Sequence, residues 1–195
     1  MEILPLRVKA SIRTARTAGV LAAAATVALC AFRCSDAGAP PAGETEAVIG
    51  TDTELYALIT ESQPYTGYPL FPGVDSVAAG SLNGSAAHQP VVRVSINPVA
   101  LKSLTADTLP AGSAFAQGSV IVKEIREQGA TTLLAVMMKE PASADAAGGW
   151  LWAEYKPDGS VVFSIRSRGD GCVPCHSRER GPRNDLVRTF ERRLP

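Results

Sequence analysis

Residues 119–127 read SVIVKEIRE, and this stretch decides the fold class. It is rich in β-branched residues, which suit a pleated, half-buried strand. Successive side chains of a strand point to opposite faces. Val120, Val122, Glu124 and Arg126 therefore share one face, and Ile121, Lys123 and Ile125 the other. The second face reads as the apolar one, and on it Lys123 is out of place. An unpaired ammonium is costly to bury, so the position asks for a partner, a covalent use or an escape to solvent.

Working outward, Gly129 permits a turn, and 131–139 (TTLLAVMMK) returns antiparallel to the first strand. Residues 150–155 (WLWAEY) and 160–166 flank Pro157-Asp158-Gly159, a hairpin signal. On the N-terminal side, 91–96 (VVRVSI) is a further strand, followed at Asn97-Pro98 by a turn or short helix through Leu104. Residues 52–62 (DTELYALITES) form a helix with Asp52 as its cap and Leu55, Leu58 and Ile59 on one face; Pro64 stops it. Residues 76–88 are a Gly/Ala/Ser loop. The expected class is α+β: a mainly antiparallel sheet of four or five strands with flanking helices, in one domain over 51–195.

The first 34 residues read differently. Arg7, Lys9, Arg13 and Arg16 precede an uncharged apolar run, 18–32 (AGVLAAAATVALCAF). That run suits a signal h-region and is shorter than the roughly 20 residues of a spanning helix. Residues 1–34 are expected to be a signal peptide or lipoprotein-type leader, with a retained membrane anchor or a buried helix as alternatives. Arg33 before Cys34 and Leu29 before Cys30 fit lipoprotein cleavage poorly. Residues 35–50, opening SDAGAPPAG, read as a flexible linker. The expected location is periplasmic or otherwise exported, with an N-terminal membrane tether as the variant. The 19 basic and 19 acidic residues balance, and no basic stripe suits nucleic acid.

Removal of the leader leaves two of the four cysteines, Cys172 and Cys175, within Cys172-Val173-Pro174-Cys175-His176. In an exported protein this is the attachment motif of a c-type haem. Two thiols separated by two residues reach the two haem vinyls, and the next imidazole faces the iron. A redox dithiol and a zinc site are the competing readings. The first lacks a βαβ context, and the second lacks ligands, since His88 is the only other histidine. The iron's opposite side has few claimants. No Met or His follows His176; Met137 and Met138 lie on a strand with opposite orientations, and His88 sits in a loop. A five-coordinate iron open to a small ligand is the expectation, with core packing the default use of both methionines. Phe115, Trp152 and Phe163 are candidate pocket walls with the same default.

Residues 91–98 (VVRVSINP), 115–124 (FAQGSVIVKE), 136–139 (VMMK), 150–155 (WLWAEY), 157–161 (PDGSV) and 172–176 (CVPCH), in that order, resemble the cytochrome P-460 family. The resemblance runs from about Thr53 to the C-terminus. It implies an antiparallel β fold, a homodimer, and one covalent haem c with its iron per chain, attached through Cys172 and Cys175 and ligated by His176. It also implies a lysine linked to a haem meso carbon, at the position of Lys123. Members with that link oxidise hydroxylamine to nitrous oxide or nitric oxide and pass electrons to an acceptor cytochrome. Related cytochromes c′-β bind nitric oxide or carbon monoxide without turnover. A plain electron-transfer cytochrome c is the third class. Oxidising members carry a carboxylate five residues before the first haem cysteine. Ser167 stands there, between Arg166 and Arg168, with Asp170 nearby but shifted. Lys123 and Ser167 are thus the candidate catalytic residues, though a serine is a poor base. Arg93 is one residue displaced from a family arginine in the opening strand.

Overall fold

The computed structural model describes residues 48–80, 82, 87–179 and 184–192, all within one compact unit, Thr45–Pro195. The expected leader, Cys30, Cys34 and most of the linker lie outside the described residues. Among those described, no helix is long and apolar enough to cross a membrane.

Six strands form one antiparallel sheet in sequence order: β1 (Ala78–Ala79), β2 (Val91–Ile96), β3 (Val120–Glu127), β4 (Ala130–Lys139), β5 (Trp150–Tyr155) and β6 (Val161–Phe163). Each strand pairs with its neighbour in sequence, a meander, but only β3–β4 and β5–β6 are joined by short turns; residues 97–119, which include a short helix, connect β2 to β3, and residues 140–149 connect β4 to β5. Gln128 and Gly129, both at positive φ, make the tight turn between β3 and β4. The sixth strand is the two-residue β1, which pairs with β2 inside the segment expected to be loop.

Two boundaries differ from the sequence reading. Thr51, not Asp52, caps α1 (Asp52–Ala57), whose last turn continues with π-type hydrogen bonding over Leu58–Ser62. Asp52 instead turns its carboxylate to the far end of the chain, where Oδ2 accepts from Ser164 Oγ at 2.6 Å and Oδ1 from Ile165 N at 2.9 Å. Those bonds, with the Ser164 side chain capping, convert Ile165–Ser167 to a 3-10 turn and end the last strand at Phe163. The other short helix at the sheet's start, α2 (Pro98–Lys102), is capped by Asn97 with proline in its first turn.

The sheet is buried on both sides. One face packs Val120, Val122, Leu134, Val136, Leu151 and Tyr155 against Leu55 of α1 and Ile59 of its π-helical continuation. The other carries Ile121, Ile125, Met137, Trp150 and Trp152, against which α3 (Cys172–His176) and the chain after it are laid. The expected single apolar face was therefore half of the picture: β3 is a central strand covered on both sides, and such strands read as nearly continuous hydrophobic runs.

Candidate haem-attachment site

The second face is organised in cross-strand rows. Antiparallel register places Ile96, Ile121, Met137 and Trp152 in one row. The neighbouring row is Val94, Lys123, Ala135, Glu154 and Phe163. Above these rows lies a cavity of about 330 Å³, within the range of ordinary cofactor clefts. Its lining joins Ile121, Lys123, Met137, Trp152, Glu154 and Phe163 of the sheet to Cys172, Cys175 and His176 of α3.

α3 is one short turn, and i, i+3 and i+4 positions share a helix face. Cys172, Cys175 and His176 occupy those positions, so all three reach the same cavity. Gly169 and Gly171, at φ 63° and 78°, bring the chain into that turn. A Cβ on Gly169 would fall 2.7 Å from Trp152 and 2.8 Å from Val173, so the close approach of α3 to the sheet needs glycine there.

His176 is fixed on two sides. Its Nδ1 donates to the Leu186 carbonyl at 2.6 Å, and its ring meets Trp152 edge-on with centroids 4.7 Å apart. A carbonyl can only accept, so Nδ1 carries the proton and Nε2 of the neutral ring is left as the electron-pair donor. Burial, reinforced by the Lys123 cation, pushes the His176 pKa down to about 3, which keeps the ring neutral. Burial also raises the Cys172 thiol to about 11. The attacking thiol of a redox pair carries a depressed pKa, and Cys172 is shifted the other way.

Lys123 is nearly fully buried and its pKa is lowered to about 8, first by burial and then by the Arg192 cation. Its Nζ lies 3.4 Å from His88 Nδ1, while His88 Nε2 lies 3.1 Å from Glu154 Oε1. Glu154 accepts, so His88 donates from Nε2 and accepts at Nδ1. Lys123 and Glu154 flank Ala135 in the sheet row, and the small alanine leaves the gap that the His88 ring spans. Burial lowers the His88 pKa. With both ring nitrogens engaged, His88 does not offer a free donor to a metal.

Other expected positions fall elsewhere. Ser167 is exposed in the 3-10 turn and is not among the cavity-lining residues; the lining carboxylates are Glu154 and Asp170. Of the proposed walls, Trp152 and Phe163 line the cavity, whereas Phe115 packs on Trp150 and Phe190. Met137 lines it; Met138 belongs to the opposite core. Arg93 pairs with Glu124 at 2.6 Å on that opposite face. The sequence reading did not single out Glu154, Arg188 or Arg192 as wall residues. Period two could have found Glu154, which lies two residues after Trp152 on one strand. The two arginines arrive from the C-terminal turn, Arg188–Arg192, with no local signal.

The donor set fits haem. Paired thiols and a neutral imidazole with its Nε2 lone pair line an apolar cleft, the donors a c-type haem needs; Arg188 and Arg192 also line it, Arg188 paired with Glu191 and donating to the Cys175 carbonyl, Arg192 donating to the Gly80 carbonyl. Fold and site together define a c-type haem-binding protein built on an antiparallel sheet. The family model for Cytochrome P460 matches residues 77–189, and the chain belongs to that family. It is a c-type cytochrome whose cofactor is haem with its iron. A comparison with curated proteins found no match.

Proposed function

We propose that this protein is an exported mono-haem cytochrome that oxidises hydroxylamine to nitrous oxide or nitric oxide and passes the electrons to another cytochrome. The observation that carries the reading is the placement of Lys123. Its amine lines the same cavity as Cys172, Cys175 and His176, paired with a neutral imidazole rather than a carboxylate. A lysine so placed is suited to a covalent link with the porphyrin edge, which removes the cost of a buried cation.

In this reading Cys172 and Cys175 tether one haem, His176 Nε2 ligates it, and Lys123 Nζ is linked to it. Bound haem supplies an iron that takes electrons from a small nitrogen compound and delivers them outward. Proton handling falls to Glu154 and His88 at the cavity wall, in the place of Ser167. The Glu154 carboxylate is positioned to accept protons as hydroxylamine is oxidised, with His88 orienting it through the Nε2–H that it donates. Ile121, Met137, Trp152 and Phe163 keep the cleft apolar and limit water. A homodimer and an acceptor cytochrome complete the proposal.

A second reading, a nitric oxide or carbon monoxide binder of the c′-β kind, draws on Ser167, which stands exposed where oxidising members have a carboxylate. Anaerobic incubation of purified holoprotein with hydroxylamine and an oxidant separates the two. Turnover predicts acceptor reduction with nitrous oxide or nitric oxide release, a haem peptide whose mass includes Lys123, and loss of both in Lys123→Ala. Tight nitric oxide binding with no acceptor reduction favours the binder. A six-coordinate low-spin spectrum assigns the electron-transfer class instead, with Met137 the methionine on the cavity wall.

A further inference from the structure

Asp185 is a partly buried acid that the proposed chemistry does not use, and it is held from several directions. Its Oδ1 pairs with Lys139 Nζ at 2.7 Å, and its Oδ2 accepts from Phe115 N at 2.9 Å. Its main-chain carbonyl accepts from Trp150 Nε1 at 2.9 Å. Lys139 and Trp150 are cross-strand partners at the ends of β4 and β5, and the ammonium also lies 4.9 Å above the Trp150 ring. The clamp is therefore anchored in the rigid sheet.

The next residue, Leu186, supplies the carbonyl that receives the His176 Nδ1–H. Asp185 and Leu186 have φ of 55° and 68°, in the left-handed region. Residues with a Cβ stay there only where the surroundings hold them. The socket is tight: a Cβ on Gly148 would fall 2.4 Å from Leu186 Cδ1, and one on Gly149 3.0 Å from Lys139 Nζ. Glu179 braces the same segment through Asn184 N at 2.9 Å.

We propose that Asp185 is a positioning residue for the iron-binding histidine: locked to Lys139, Phe115 and Trp150, it fixes the Leu186 carbonyl and so sets the orientation and basicity of His176. The inference rests on His176 being the haem ligand. A firmly held acceptor on Nδ1 gives a metal-bound imidazole more anionic character and makes it a stronger donor through Nε2. That strengthens the iron–histidine bond and favours the oxidised metal.

The test compares wild-type holoprotein with Asp185→Ala and Asp185→Asn. Resonance Raman of the reduced form reads the iron–histidine stretch, and potentiometry reads the reduction potential. Asp185→Ala is expected to lower the stretching frequency and raise the potential. Asp185→Asn, which keeps an acceptor for Phe115 N–H, is expected to recover part of both. Ser164→Ala, which cuts a bond to Asp52 rather than to the clamp, is expected to lower the melting temperature and leave both spectroscopic readings in place. Unchanged frequency and potential in Asp185→Ala overturn the proposal, as does an equal shift in Ser164→Ala. Should Asp185→Ala fail to accumulate, Lys139→Gln reads the same clamp: a smaller shift in the same direction supports the role, and no shift overturns it. A wild-type protein with no iron–histidine band removes the haem ligation itself and the role of Asp185 with it, whereas a band present but unmoved removes only the latter.

Discussion

The two faces of the sheet are built to opposite ends. On one, α1 and its π-helical continuation lay Leu55 and Ile59, both fully buried, onto Val120, Val122, Leu134 and Leu151. That face is closed, and its burial stabilises the fold by the ordinary hydrophobic term. On the other, the same strands present Lys123 and Glu154 to a cavity and leave room beside Ala135. There the protein keeps a buried cation that lowers stability and holds groups with chemistry. One sheet thus separates the two demands by strand alternation alone: odd and even residues of β3 serve different purposes.

The contrast is sharpest if the closed face is damaged first. Leu55→Ala is expected to cost about 2–5 kcal/mol in unfolding free energy, the usual range for a leucine truncated in a packed core. The haem spectrum of the folded variant should stay at its wild-type position. A spectral change comparable to that of a cavity-wall variant would show that the faces are not independent.

Next comes the open face, with the haem cysteines replaced by serine so that Lys123 is free to titrate. Lys123→Met should raise stability at pH 7 by about 3 kcal/mol, the equivalent of lowering a lysine from 10.5 to about 8. The sign follows from proton binding. Between pH 8 and 10.5 the unfolded chain holds the proton and the folded chain does not, so the Lys123 protein gains stability as pH rises through that window. Below pH 8 both states are protonated and the full penalty remains. Urea denaturation at pH 7 and pH 10 should therefore show a large gap between the two proteins that shrinks at the higher pH. An equal gap at both would mean that no buried cation is carried on this face.

The smallest effect is expected at the margin of the closed face. Thr51→Ala removes the cap that accepts from Glu54 N and should lower stability by about 1 kcal/mol, read as a shift in the urea midpoint. Its haem bands should be unaffected.

Much of this was legible in the chain. The strands at 91–96, 120–127 and 150–155 follow from alternation and β-branched composition, and the turn at Gly129 from its backbone freedom. The attachment motif is local, so Cys172, Cys175 and His176 could be read by spacing. Lys123 stood out because its charge contradicted the pattern of its own strand. Asp52 shows the limit of such reading: its position suits a helix cap, yet its carboxylate is taken by Ser164 and Ile165, more than a hundred residues away.

His88 and Asp185 were illegible for the same reason. His88 reaches Glu154 across 66 residues, and Asp185 reaches Lys139 across 46. Nothing in either local stretch encodes its partner. The sequence by itself determined periodicity, turn chemistry and the haem motif, because each depends on neighbours within a few residues. The tertiary structure alone decided which loop crosses the Ala135 gap, which carboxylate faces the cavity and which carbonyl meets His176. Those choices depend on strand register and packing across the sheet, where a side chain's partner is set by the whole fold rather than by its neighbours in the chain.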